Sequence, residues 1–250
     1  MNKLPEITFG FWIMKVCATT LGETAGDLLS MTLAVGYAVS SLLLLGMFVV
    51  TLLGQLWSKR HHPLLYWTVI LSTSTAGTTM SDFMDRTLGL GYAKGALILS
   101  GVLLAIFTYW HFTEESLSVV NIRTRKVELL YWFAILFSNT LGTALGDFLA
   151  DDSGLGFGGG ASLIGSLLAF VAGVFYFTKI SRVLLFWVAF VLTRPFGATL
   201  GDVLTKTHEK GGLGFGTIGS SAVLAGILWI AMCYATFKQS SEANATRAVE

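Results

Sequence analysis

With 250 residues, 54% of them hydrophobic and only 12% charged, and a mean hydropathy of +0.70, the chain is too apolar for the surface of an ordinary soluble domain and reads as an integral membrane protein. A formal net charge of +1 advertises neither nucleic acid nor an acidic partner. Cys17 and Cys233 both sit in apolar runs, with neither a disulfide framework nor a C-x-x-C metal spacing, so they say nothing of a redox compartment.

The opening stretch MNKLPEITFGFWIMK lacks the ordered basic, apolar and cleavage regions of a signal peptide, and the first span is expected to stay in place. Its continuation carries TLGETAGDLL at residues 20–29, with two acids and two glycines in an otherwise membrane-buried run. That phrase belongs to a register that recurs. Trp12 to Asp27, Trp67 to Asp82, Trp132 to Asp147 and Trp187 to Asp202 are each 15 residues apart. Each tryptophan follows another aromatic (Phe11, Tyr66, Tyr131, Phe186). Each aspartate precedes a glycine-aromatic pair (Gly36-Tyr37, Gly91-Tyr92, Gly156-Phe157, Gly214-Phe215), reached after 9, 9, 9 and 12 residues. Four copies in such register form a tandem array.

Every copy holds two apolar runs long enough to cross ~30 Å of hydrocarbon. The expected spans run roughly over 8–29, 38–57, 64–84, 93–112, 129–150, 160–178, 184–205 and 217–237. The repeats therefore occupy 8–57, 64–112, 129–178 and 184–237 of a single membrane domain, with a central cytoplasmic connection at 113–128 and a polar, flexible tail at 238–250. The fold class is an all-α polytopic membrane protein: eight transmembrane helices as four tandem hairpins. An even number of crossings per copy makes the hairpins parallel, giving pseudo-fourfold or two-halves symmetry about the membrane normal.

The 16 lysines and arginines set the orientation. Lys3, Lys59, Arg60, Arg123, Arg125, Lys126, Lys179, Arg182, Lys238 and Arg247 lie on the face with both termini, Arg86, Lys94, Lys206 and Lys210 on the other, and Lys15 and Arg194 inside spans. The positive-inside rule then places both termini in the cytoplasm. Trp12, Trp67, Trp132 and Trp187 are expected at the cytoplasmic interface, as anchors.

Counting back from each aspartate by four and eight gives Thr19-Glu23-Asp27, Ser74-Thr78-Asp82, Asn139-Thr143-Asp147 and Arg194-Ala198-Asp202, a polar stripe on each odd helix. One residue earlier run small-xxx-small ladders containing Gly22, Gly26, Gly77, Gly142, Gly146, Gly197 and Gly201, which let helix backbones approach closely. The odd helices are thus expected to cluster with polar stripes inward and the even helices outside. A rise of ~22 Å over 15 helical residues puts the aspartates in the outer part of the bilayer, as a shared ring of carboxylates. Two readings of these acids stand side by side: they cap the hairpin turns, or they handle a cation or proton. Glu23 and the four aspartates oppose only Lys15 and Arg194 within the spans, and that imbalance favours the second reading.

At these positions the chain resembles a family of bacterial integral membrane proteins built from four tandem two-span "repeats of unknown function". The resemblance rests on the four tryptophans and on the Gly-Asp or Ser-Asp steps ending at Asp27, Asp82, Asp147 and Asp202, and it covers nearly the whole chain. It implies the architecture and carries no assigned activity. Glu23-Thr-Ala-Gly-Asp27 is also similar to the Glu-x-Gly-Asp signature of certain manganese and calcium transport proteins, with one extra residue and without the Lys-Thr that follows there.

The expected function is a membrane transporter or exporter of a cation, either a hard metal ion such as Mn²⁺ or another cation, coupled to protons through the intramembrane acids. Asp27, Asp82, Asp147, Asp202, Glu23, Thr78, Thr143, Asn139 and Arg194 form the candidate binding set, and Asp27 with Glu23 the candidate metal ligands, since their donors are hard oxygens. The partners are membrane lipid and a small cation or proton; no cofactor, nucleic acid or catalytic residue is expected. The alternative is a non-transporting scaffold or partner subunit. An intramembrane aspartyl enzyme stands third, because no aspartate here has the Gly-x-Gly-Asp context.

Overall fold

The computed structural model describes residues 4–58, 61–114, 117–119, 122 and 124–247, with the backbone alone for 242–247. Lys3, Lys59, Arg60 and Arg123 of the basic face lie outside the described residues, as do the Arg247 side chain and parts of the connection and tail. Among the described residues the chain folds into eight α-helices: α1 Phe9–Asp27, α2 Tyr37–Trp57, α3 Pro63–Asp82, α4 Tyr92–Glu114, α5 Arg125–Asp147, α6 Gly156–Phe177, α7 Arg182–Thr205 and α8 Gly216–Arg247. Two boundaries differ from expectation. The central connection shrinks to the stretch between Glu114 and Arg125, and the segment from Lys238, polar enough to read as a flexible tail, continues α8 as far as Arg247.

The helix starts follow from local chemistry. Thr8 Oγ1 accepts from Phe11 N at 3.4 Å, Thr124 Oγ1 from Val127 N at 3.2 Å, and Ser181 Oγ from Leu184 N at 3.4 Å. These are N-caps, while α3 opens on Pro63, whose missing N–H costs nothing there. After Asp27, Asp82 and Asp147 the helix widens into one π-helical turn (Leu28–Thr32, Phe83–Thr87, Phe148–Asp152). Gly36, Gly91, Gly156 and Gly214 then reverse the chain with φ of 81°, 73°, 66° and 69°. This left-handed backbone explains the recurring glycine before each aromatic.

Among the described residues six helices are long and apolar enough to cross a membrane, all except α1 and α3, making this a multi-pass membrane protein. The two exceptions have the least need to be apolar, since they lie inside. α1 packs on α3, α3 on α5, α5 on α7 and α7 back on α1, a closed ring of the odd helices. Each even helix leans chiefly on the inner helix of the following repeat: α2 on α3, α4 on α5, α6 on α7 and α8 on α1. The outer helices present Leu42, Val50, Phe112, Phe177, Ile230 and Phe237 outward.

The small-residue ladders make the ring close. A Cβ on Gly26 would stand 2.8 Å from Thr78 Cβ, on Gly77 2.9 Å from Thr140 N, on Gly146 3.1 Å from Ala198 Cβ, and on Gly201 2.9 Å from Glu23 Cβ. Gly22, Gly142 and Gly197 are tighter still, against Ser74, Arg194 and Thr19. Every repeat thus presses its glycines onto the polar stripe of the next, where lipid supplies no hydrophobic drive and close van der Waals packing must hold the helices.

Candidate functional site

Residues four apart on each inner helix line up along the ring axis: Phe11-Lys15-Thr19-Glu23-Asp27 on α1, Tyr66-Ile70-Ser74-Thr78-Asp82 on α3, Tyr131-Ile135-Asn139-Thr143-Asp147 on α5 and Phe186-Phe190-Arg194-Ala198-Asp202 on α7. All of them are buried. The polar stripe therefore continues two turns further than its polarity alone suggests, ending in the aromatic that precedes each tryptophan. Five layers result, each built from one residue of every repeat.

The aromatic layer closes one end. Phe11 stacks against Trp67 at 5.5 Å between ring centroids, Tyr66 against Trp132 at 5.6 Å, Tyr131 against Trp187 at 6.1 Å and Phe186 against Trp12 at 5.9 Å. Within the collar the Tyr66 and Tyr131 hydroxyls are hydrogen-bonded at 2.7 Å. Against the expected interface-anchor role, Trp67, Trp132 and Trp187 are buried in protein, while Trp12 is partly exposed. Their rings join successive repeats instead of reaching headgroups. Outside the collar lies a cavity of about 230 Å³, bounded by the segment from Leu4 to Ile7 and by Val119.

One layer inward, Lys15 Nζ stands 4.0 Å above the Phe190 ring and 3.5 Å from Asn139 Oδ1. The third layer belongs to Arg194, wholly buried on α7. Its guanidinium donates to Thr19 O at 2.9 Å and Glu23 Oε2 at 2.9 Å on α1, to Ser74 O at 3.3 Å and the Thr78 hydroxyl on α3, and to Asn139 O at 3.2 Å and Thr143 Oγ1 at 2.7 Å on α5. One side chain ties all four inner helices together and fills the axis. Thr78 and Thr143 also approach Glu23 Oε2, at 3.3 and 3.4 Å, so this carboxylate is held from three sides.

The four aspartates form the final layer, bridged in pairs. Arg86 Nε lies 2.8 Å from Asp82 Oδ1 and Arg86 Nη2 3.4 Å from Asp147 Oδ2. Lys206 Nζ lies 3.0 Å from both Asp27 Oδ2 and Asp202 Oδ1. Burial opposes the charge on Lys206, but the Asp202 and Asp27 carboxylates outweigh it and hold the ammonium above the ordinary lysine range. The turn-capping reading of the aspartates finds no support at Asp27, Asp82 and Asp147, whose side chains make no cap hydrogen bond. Carboxylate oxygens of Glu23, Asp147 and Asp202 lie within 4.8 Å of one another, a triad able to hold a metal ion. The Glu23 half of the expected Asp27–Glu23 pair belongs to this triad, while Asp27 is engaged by Lys206.

All nine residues of the candidate binding set thus fall on one axis. Sequence reasoning missed the bridging cations, because Arg86 and Lys206 lie beyond the expected spans. The signal was present: each stands four residues after an aspartate, Asp82 and Asp202, while Met31 and Asp151 occupy the equivalent places in repeats one and three. Five axial carboxylates therefore face four cations, counting Lys15 and Arg194, while Asp85, buried next to Arg86 in the chain, adds a sixth acid and keeps the balance negative.

The chain belongs to the family described as Repeat of Unknown Function (DUF347), whose pattern matches four times, at residues 10–61, 65–116, 130–181 and 185–241. No curated protein and no solved structure gave a match.

Proposed function

We propose that this four-repeat family member is a membrane transporter of a small cation, exchanged against protons on the axial carboxylates. All eight helices cross the membrane as parallel hairpins with pseudo-fourfold symmetry, overlaid by a twofold alternation of the Arg86 and Lys206 bridges. The setting is a bacterial inner membrane with both termini cytoplasmic, which puts the acid layer toward the outside and the aromatic collar toward the cytoplasm. No bond is made or broken and the protein is not an enzyme.

The observation that carries this reading is the convergence of Glu23, Asp147 and Asp202, with oxygens within 4.8 Å of one another inside a ring of helices. Hard oxygen donors at such spacing suit Mn²⁺, Mg²⁺, Ca²⁺ or an alkali ion. A cation and a proton compete for the same oxygens, so protonation of one carboxylate weakens the hold on the ion and couples the two movements. Intramembrane acids lining a protein interior are the usual sign of such a pathway. Passage toward the collar requires Arg194 to withdraw from the axis, which it fills between α1, α3 and α5.

Reconstitution into vesicles with a pH-sensitive dye inside tests this against a panel of Mn²⁺, Mg²⁺, Ca²⁺, Na⁺, K⁺ and small organic ammonium ions. Expected is proton movement driven by at least one of them and abolished by Glu23→Gln, Asp147→Asn and Asp202→Asn. Silence across the panel, or unchanged flux in all three variants, removes the proposal. A second reading, a non-transporting scaffold, draws support from Arg194, whose bonds to three other helices hold the ring shut. It predicts that the same three variants fail only by failing to fold.

A further inference from the structure

We propose that Lys206 is a tethered occupant of a cation seat between Asp27 and Asp202, and that a free cation and the Lys206 ammonium hold this seat in turn. The inference rests on the cation reading above and adds the residue that controls access to it. The ammonium already sits as a small bound cation would, 3.0 Å from an oxygen of each carboxylate. The two acids are 3% exposed and the lysine 23%, so the charge that leaves has a path to water while the charges that stay do not. Asp27 Oδ1 is buried with no hydrogen-bond partner among the described residues, leaving coordination unused in the same seat. Asp202 also belongs to the triad with Glu23 and Asp147, so an ion that replaces the ammonium has further oxygens near at hand, Glu23 one turn inward and Asp147 in the same layer.

The other bridge is more exposed, its arginine 34% against 23% for Lys206, and is clamped by rings instead of by burial. Arg86 spans Asp82 and Asp147 with its guanidinium 6.0 Å from the Tyr37 ring centroid and 5.7 Å from that of Tyr92. Among the described residues no aromatic ring holds Lys206. A planar guanidinium between rings is fixed, whereas an ammonium on a flexible stem is a strongly hydrated point charge that exchanges readily with solvent. The Lys206 backbone stays anchored meanwhile: its N–H donates to Asp202 O at 2.9 Å and its carbonyl accepts from Gly214 N at 2.9 Å, so only side-chain torsions need change.

Two measurements on the full chain in detergent test the exchange, with Mn²⁺ as probe. Free Mn²⁺ followed by electron paramagnetic resonance gives its affinity. Acylation of amines, read residue by residue by mass spectrometry, gives the accessibility of Lys206 against Lys94 and Lys210. Expected is that Lys206→Gln binds Mn²⁺ about tenfold more tightly, having lost a tethered competitor, that Asp202→Asn in the same background removes the gain, and that Mn²⁺ raises acylation of Lys206 alone in the wild type. Lys206→Arg keeps the charge in a stiffer clamp and is expected to bind Mn²⁺ more weakly than wild type, which serves if Lys206→Gln does not fold. Unchanged Mn²⁺ affinity in either folded variant, or unchanged acylation of Lys206, overturns the proposal. Tighter binding by Lys206→Gln without Mn²⁺ flux in vesicles keeps the seat and removes transport; flux lost in Glu23→Gln with Lys206→Gln behaving as wild type removes the seat alone.

Discussion

Two polar regions, two helical turns apart on the same axis, are built to opposite rules. Around Arg194 nearly all donors are matched: all three guanidinium nitrogens find acceptors, Glu23 Oε2 receives Arg194, Thr78 and Thr143, and Ser74 Oγ is the exception among the described residues. In the aspartate layer Asp27 Oδ1 and Asp82 Oδ2 have no partner among the described residues, and the bridging Lys206 is 23% exposed. A densely bonded buried network rigidifies, while unmatched carboxylate oxygens beside a partly wet lysine leave room for exchange. The comparison teaches that the inner layer is built to hold the ring together, and that under the proposed function the outer layer is where a ligand acts, with Glu23 shared between the two.

The strongest way to break this contrast is Arg194→Met. It leaves Glu23 uncompensated between four helices, and the loss of one partner of a buried pair costs about 3–5 kcal/mol. A large fall in melting temperature in detergent is expected, partly recovered when Glu23→Gln is added; an unchanged melt would mean that the inner layer is not the fastener. Gly197→Ala comes next. Its Cβ would overlap Thr19 beside Arg194, and overpacking of that kind costs about 1–3 kcal/mol. Disulfide trapping between cysteines placed on α1 and α7 should show the pair forced apart.

Thr143→Val sharpens the boundary between the two layers, since Thr143 bonds Arg194 and also approaches Glu23. The loss of its hydroxyl should cost about 1 kcal/mol and shift cation affinity modestly, a combination expected of neither layer alone. The smallest effect on stability is expected from Asp147→Asn. Its partner Arg86 stands 3.4 Å away and is 34% exposed, so the melt should move by less than about 1 kcal/mol while flux disappears. A variant as unstable as Arg194→Met would erase the distinction between fastening and exchanging acids.

Much of this was legible in the residues. The Trp-to-Asp register exposed four repeats, the stripe at every fourth residue named Glu23, Thr78, Thr143, Asn139 and Arg194 as one set, and the adjacent glycines announced close packing of the odd helices. Other features were not. The tryptophans matched the usual interfacial pattern, yet Trp67, Trp132 and Trp187 turn into the bundle, because each is met by the preceding repeat's collar aromatic. Helix periodicity says which residues share a face and nothing about which neighbour that face meets.

By itself the sequence determined the repeat, its two helices per copy and the inward polar stripe, since these depend on spacing within one segment, where a helix rises and turns by fixed amounts. Only the tertiary structure decided that each outer helix rests on the next repeat's inner helix, that Glu23 joins Asp147 and Asp202, and that Lys206 and Arg86 reach back over the acids from beyond the helix ends. Those outcomes follow from closing a ring. Residues more than a hundred positions apart become neighbours only when the last repeat docks on the first, and local spacing carries no record of that contact.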